Sequence, residues 1–199
     1  MTGRSHGRSE ALVAMRRTNL GRVALAIRDM PGLSQGELVE QTGLATGAVS
    51  QLVNALVDAE VVDRVPDPSW TGRGRPARLL RLADRWADVV GARVTQSGID
   101  VRATTLRGTV LAGSFTPFDG TADPAAAGRI LSTLLRDVTA GHRRPGGSPQ
   151  VAISIPGIWR RGTLSSAELG WLDVPQARVL DAVRDAGFPH TTFGNDGSL

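Results

Sequence analysis

The strongest constraint in the sequence is a break in its periodicity at residues 66–76. The chain there reads Pro-Asp-Pro-Ser-Trp-Thr-Gly-Arg-Gly-Arg-Pro, and so much proline and glycine is incompatible with a continuous helix or a central strand. Before the break, apolar residues recur at helical spacing, and after it they follow strand-like patterns. The 199 residues therefore predict two small domains, 1–85 and 86–199.

Three helices are predicted before the break. The first has an apolar stripe that ends before Pro31, formed by Leu20, Val23, Ala24, Ile27 and Met30. The second begins at Ser34-Gln-Gly-Glu37, a capping-box pattern, and ends at Gly43. The third is expected to span 46–60, with a buried face formed by Val49, Leu52, Val53, Leu56 and Val57.

Short strands at 61–65 and 79–82 are predicted to bracket the break, and three helices with such a hairpin describe a winged helix-turn-helix. Beyond Asp84 the pattern predicts a three-stranded meander, then a helix opened by Asp123-Pro124 and closed by Gly141. A strand at 151–155, a helix at 176–186 and a strand at 191–193 follow. The expected fold class is thus α+β or α/β, with the winged helix-turn-helix at the N-terminus.

All 23 basic residues are arginine, and with 19 acidic residues they give a net charge of +4. Two explanations stay open: a GC-rich coding bias, or phosphate contact, because guanidinium groups bind phosphate in a bidentate manner. Twelve of the arginines lie in the first 85 residues. This nearly even distribution favours coding bias for the overall number.

The sequence contains no cysteine, which excludes disulfides, thiolate catalysis and Cys-ligated zinc. No signal peptide and no apolar run of membrane-spanning length is present. The expected location is therefore the cytoplasm, without membrane association.

The outward face of the third helix carries uncharged hydrogen-bonding side chains. Thr46, Ser50 and Asn54 recur at four-residue steps, and Gln51 flanks them. Such side chains can bind base edges when the second helix of a helix-turn-helix enters the major groove. The alternative is an ordinary solvated helix face.

Five arginines lie within residues 73–85, opposed only by Asp84: Arg73, Arg75, Arg78, Arg81 and Arg85. Beside a recognition helix, this density suits contact with phosphates and the minor groove. We assign Arg73, Arg75 and Arg78 to DNA binding, with a solvated basic loop as the alternative. Arg16, Arg17 and Arg22 could add phosphate contacts or be ordinary surface residues.

Several motifs occur in a characteristic order: Leu33-Ser-Gln-Gly-Glu37, Gly72-Arg-Gly-Arg-Pro76, Gly98-Ile-Asp-Val101, Ile155-Pro-Gly157 and Gly194-Asn-Asp196. In this order they resemble the ROK family, on its transcriptional-repressor branch. The resemblance implies a domain that binds double-stranded operator DNA, followed by a ribonuclease-H-like lobe of the actin and sugar-kinase type. It further implies a repressor of carbohydrate-related genes, a sugar or sugar-phosphate effector, a homodimer, and a chain truncated after its N-terminal lobe.

The sequence departs from the family members that phosphorylate sugars. Those members carry Asp-x-Gly-Gly-Thr after the first strand of the lobe, whereas this chain reads Val94-Thr-Gln-Ser-Gly98. The backbone amides of such a turn approach nucleotide phosphates. We therefore expect no enzymatic activity and no cofactor. The family's zinc motif is rich in cysteine, so the absence of cysteine also predicts no metal site. A hexose kinase that uses ATP and an inactive truncated remnant remain the alternatives.

The resemblance also suggests sugar-binding residues. Asp196 corresponds to the family's catalytic base, and Asn195 would help to hold sugar hydroxyls. Glu168 and Trp171 could border the same cleft, although a tryptophan at such a position is more often part of the core. The alternative for Asn195 and Asp196 is an Asx turn near the chain end.

Three residues of the DNA-reading segment differ from the family pattern. Ala45 occupies the position of a capping serine, and Gly47 weakens the first turn of the third helix by about 1 kcal/mol relative to alanine. Glu60 replaces the usual glycine at the end of that helix. The base preference of relatives therefore does not transfer to this chain.

Overall fold

The computed structural model describes residues 3–69, 71, 78–121 and 123–195, with side chains from residue 10 onward. The chain forms two compact units, Met1–Ala83 and Asp84–Leu199. No helix in the described part of the chain is long and apolar enough to cross a membrane.

The first unit is the predicted winged helix-turn-helix. Its elements in chain order are α1 (Gly3–Asp29), β1 (Leu33–Ser34), α2 (Gln35–Thr42), α3 (Thr46–Asp58), β2 (Val62–Pro66) and β3 (Arg78–Leu82). Strand β3 pairs antiparallel with both β2 and β1, so the sheet has the order β1-β3-β2. The break in the sequence thus lies within the connection of the β2-β3 hairpin.

Helix α2 begins with the predicted capping box. The Ser34 hydroxyl accepts a hydrogen bond from the Glu37 amide at 3.3 Å, and the Glu37 carboxylate accepts one from the Ser34 amide at 2.8 Å. The Ser34 amide and then its hydroxyl bind the charged form of the carboxyl group, so they lower the pKa of Glu37. Gly43 ends α2 with a φ of 63°, a left-handed conformation that glycine adopts without steric penalty.

The core of the first unit is shared by its helices and its sheet. Its buried residues are Val23, Ile27, Leu38, Val49, Leu52, Val53, Leu56, Val62, Leu80 and Leu82. Among the α1 residues whose side chains are described, those at the C-terminal end contribute, whereas residues 10–18 are exposed. The prediction that Met30 extends the apolar stripe is wrong: Met30 follows the end of α1 and is exposed.

The second unit is built on a five-stranded sheet. The predicted meander is β4 (Val89–Val94), β5 (Gly98–Thr104) and β6 (Val110–Pro117), and its three strands pair antiparallel in that order. Strands β7 (Gln150–Ser154) and β11 (Thr191–Gly194) extend the sheet in parallel, which gives the order β11-β7-β4-β5-β6. The carboxyl ends of β4, β7 and β11 therefore meet at one edge.

Two helices, α4 (Pro124–Thr139) and α5 (Ala177–Asp185), accompany this sheet. The Asp123 carboxylate accepts a hydrogen bond from the Ala125 amide at 3.1 Å and caps α4 as predicted. The two helices approach closely at Gly128, where an added Cβ would lie 2.6 Å from the Val179 carbonyl oxygen. Leu131 and Leu135 of α4 are fully buried in the core above the sheet.

A second, smaller sheet is absent from the sequence-based prediction. It consists of β8 (Ile158–Arg160), β9 (Thr163–Ser166) and β10 (Trp171–Pro175), all antiparallel in the order β10-β9-β8. These strands have three to five residues and no clean apolar alternation, so the pattern gives no signal for them. Trp171 is 5% exposed and lies in the core.

Candidate functional site

Helix α3 presents its polar side to solvent because its apolar residues are buried. Val49 and Val53 are fully inaccessible, and Leu52 and Leu56 are nearly so. On the other side Thr46, Gln51 and Asn54 are exposed, whereas Ser50 is half-buried. The structure thus brings the predicted base-reading residues onto one side of α3, with Ser50 at its margin.

The first turn of α3 has no side-chain cap. Ala45 adopts the extended N-cap conformation, with φ −60° and ψ 142°, but it has no side-chain oxygen to bind the free amides of the first turn. An Ala45→Ser substitution should supply that acceptor and stabilise the first unit by about 1 kcal/mol. Thermal unfolding followed by far-ultraviolet circular dichroism would measure the gain, and a lower melting temperature would contradict this role for Ala45.

The C-terminal end of α3 depends on a non-glycine residue in the left-handed region. Glu60 has a φ of 54°, and its amide donates to the Val57 carbonyl at 2.9 Å. The next amide, of Val61, donates to the Leu56 carbonyl at 2.8 Å and leads the chain into β2. Glu60 therefore adopts the conformation for which a glycine is usual at this position.

A chain of hydrogen bonds connects α3 to the hairpin. The Arg64 guanidinium, on β2, donates to Oδ1 of Asn54, and the Arg78 guanidinium, on β3, donates to the Arg64 carbonyl at 3.5 Å. Sequence reasoning did not single out Arg64. In the sequence, Arg64 is only a basic residue in a predicted strand after the third helix. Such residues are too common to indicate a functional role.

Four further arginines were grouped by sequence within residues 73–85: Arg73, Arg75, Arg81 and Arg85. Arg73 and Arg75 lie outside the described residues. Arg81 is exposed on β3. Arg85, grouped with the wing by sequence, belongs instead to the second unit, where its guanidinium lies 5.6 Å from the centre of the Trp86 ring.

Three arginines of α1, Arg16, Arg17 and Arg22, are exposed, which is compatible with contact to phosphates. Exposure on a helix is also the ordinary state of arginine. Their geometry therefore leaves both sequence-based interpretations open.

In the second unit, the carboxyl ends of three parallel strands form the edge at which α/β proteins commonly bind ligands. Arg93 of β4 and Gly194 of β11 both pair in register with Ser154 of β7. Asn195 directly follows β11 at this edge and is exposed, whereas Asp196 lies outside the described residues. Of the predicted sugar-binding residues, the structure thus places Asn195 at a suitable edge.

The turn after β4 lies at the same edge and is closed by side chains. The Thr95 hydroxyl donates to the Gly98 carbonyl at 3.0 Å and accepts from the Gly98 amide at 3.2 Å. The Glu168 carboxylate, from the turn between β9 and β10, accepts a hydrogen bond from the Gln96 amide at 3.3 Å. A carboxylate therefore binds a backbone amide of the turn that follows β4.

Comparison with known proteins supports the fold of both units. A model of the MarR family matches residues 21–69. A solved structure, described as a ROK family transcriptional regulator and homolog of the E. coli MLC protein, matches with a TM-score of 0.68 at 20% sequence identity. The match covers 92% of this chain but 46% of that regulator, so this chain spans about half of its length.

No curated protein matches the sequence significantly. The structural match spans both units, since it extends over nearly the whole chain. The chain therefore combines a MarR-like winged helix-turn-helix with a mixed α/β domain that has the fold of the first lobe of a ROK family regulator.

Proposed function

We propose that this chain is a sequence-specific DNA-binding transcriptional regulator, a repressor of carbohydrate-related genes. The observation that carries the proposal is the polar, solvent-facing side of α3, joined by Asn54 to a hairpin that bears Arg64 and Arg78. Uncharged side chains on such a helix can bind base edges, and arginines beside it can neutralise phosphates. Arg73 and Arg75, in the connection of the same hairpin, add to that basic character.

The second unit is proposed to be the N-terminal lobe of a sugar-kinase-like domain that senses a sugar or sugar phosphate. Support comes from the fold shared with a ROK regulator and from the position of Asn195 at the carboxyl edge of the parallel strands, where α/β proteins commonly bind ligands. The assignment of the two predicted domains to DNA binding and to sugar sensing, the cytoplasmic location and the homodimer are parts of the same proposal.

A kinase function is less well supported. In the sugar-phosphorylating proteins that the chain resembles, backbone amides of the turn after the first strand of the lobe approach the nucleotide phosphates, whereas here the Gln96 amide donates to the Glu168 carboxylate. A phosphate placed there would also be repelled by that carboxylate. No contact of the described residues favours the kinase over the regulator.

The proposal is tested by mobility-shift titration of the full chain against genomic fragments from upstream of genes, with an excess of unrelated competitor DNA. At least one fragment should be retarded at low salt, and the logarithm of its binding constant should fall linearly with the logarithm of the salt concentration. The slope should be roughly −0.9 for each phosphate contacted. If folded protein retards no upstream fragment at low salt, the chain is not a DNA-binding regulator.

A further inference from the structure

We propose that Arg64 is a positioning residue for base recognition, because it holds the Asn54 amide in one orientation from which Asn54 reads DNA as a hydrogen-bond donor. This inference rests on the proposed DNA binding. It assigns Arg64, on the hairpin, a role in sequence preference rather than in phosphate contact alone.

The hydrogen bond itself determines how the Asn54 amide is turned. An asparagine amide has an accepting oxygen at one end and a donating nitrogen at the other. Arginine has only donors, so the end that meets the Arg64 guanidinium must be Oδ1. The NH₂ group of Asn54 therefore points away from Arg64, and the usual ambiguity between the two ends does not arise.

Both partners are anchored by the core of the first unit. Val53, next to Asn54, is fully inaccessible, and Val62, two residues before Arg64, is 1% exposed. Arg64 lies in the middle of β2, where it pairs with Leu80 of β3. Its carbonyl also accepts the hydrogen bond from Arg78. The bond to Asn54 thus joins two rigid elements, which reduces the rotamer freedom that the amide would lose on binding DNA.

This orientation favours one class of base. Asparagine reads adenine through both ends of its amide, with the oxygen accepting from the base amino group. With Oδ1 engaged by Arg64, Asn54 presents the two hydrogens of its NH₂ group. Guanine offers two acceptors in the major groove, N7 and O6, so we expect Asn54 to favour guanine.

The experiment selects duplexes with a randomised core on the full chain and determines the bound sequences. We compare the wild type with Asn54→Ala, Arg64→Ala, Arg64→Lys and the double variant Asn54→Ala/Arg64→Ala. Arg28→Ala is the matched control, because Arg28 is an exposed arginine of the same unit and bonds to the neighbouring Asp29. We then measure the affinities for the selected duplex, and for versions of it in which the preferred guanines are replaced by other bases, over a range of salt concentrations.

The wild type should prefer guanine at one or more positions, and Asn54→Ala should remove this preference. Arg64→Ala should lower the discrimination in favour of guanine at the same positions by about tenfold. The double variant should show little further loss of this discrimination compared with Asn54→Ala alone. Arg64→Lys should keep most of the preference, since an ammonium group can still donate to Oδ1. Arg28→Ala should leave the preference unchanged.

Other results overturn the inference. If Arg64→Ala weakens all duplexes equally and reduces the salt slope by about 1, Arg64 is a phosphate contact, while DNA binding itself stands. Additive effects of Asn54→Ala and Arg64→Ala would likewise refute the coupling. If the wild type selects no sequence, the proposed function fails as well. Circular dichroism checks folding, and Arg64→Met, which keeps the aliphatic stem, replaces Arg64→Ala should that variant unfold.

Discussion

Replacing Arg73 and Arg75 together with alanine is expected to lower the affinity for operator DNA about 100-fold. Hydrogen bonds to charged groups contribute about 1.5 kcal/mol each, which corresponds to about tenfold in affinity. Because phosphates carry no sequence information, the loss should be similar for all sequences. The salt slope should also decrease in magnitude by about 2, as two fewer phosphates are neutralised. Fluorescence anisotropy with a labelled duplex measures both quantities.

The matched control removes the same charge from the second unit. Arg129 and Arg136 are exposed on α4, so their replacement by alanine lowers the net charge equally. Arg129→Ala/Arg136→Ala should lower the affinity for operator DNA by less than Arg73→Ala/Arg75→Ala does at every salt concentration. Equal losses in the two variants would mean that net charge, rather than the hairpin connection, governs DNA binding.

The second large effect concerns the stability of the second unit. A Gly128→Ala substitution should destabilise this unit by about 2 kcal/mol, although alanine is the better helix former. The added Cβ would lie 2.6 Å from the Val179 carbonyl oxygen and 3.2 Å from the Val179 Cα, so the backbones of α4 and α5 must separate. Urea unfolding followed by tryptophan fluorescence measures the change, because three of the four tryptophans, Trp86, Trp159 and Trp171, belong to this unit.

The matched control is Gly21→Ala, which adds the same Cβ to a helix at a site without close neighbours. It lies inside α1, and an added Cβ would meet no atom within 4 Å. Gly21→Ala should therefore stabilise the first unit by up to about 1 kcal/mol, the intrinsic preference of a helix for alanine. If Gly128→Ala were also stabilising, the close packing of α4 on α5 would not be a determinant of stability.

The winged helix-turn-helix was predictable because its signals are local. The capping box of Ser34 and Glu37 acts within one helical turn, and Gly43 ends the helix through its own backbone conformation. The buried face of α3 follows from the spacing of Val49, Val53 and Leu56. Each of these features needs no information from distant parts of the chain.

The second unit was predictable in outline only. Its meander and its two helices carry clear patterns, but strands β8, β9 and β10 are short and become stable only by pairing with one another. The bond from Gln96 to Glu168 joins residues 72 positions apart, a separation over which sequence spacing has no predictive value. The sequence also grouped Arg85 with the wrong unit, because its place in the second unit depends on tertiary contacts.

The helices of both units, the caps of α2 and α4, and the polar residues that face outward on α3 were predictable from the sequence alone. Those properties follow from periodicity and from hydrogen bonds within a few residues. The contact between Arg64 and Asn54 arises from tertiary packing, since strand pairing and the core bring β2 against α3. Tertiary packing also brings Glu168 to the turn after β4. Contacts of this kind depend on where the core places each backbone, which residue spacing does not encode.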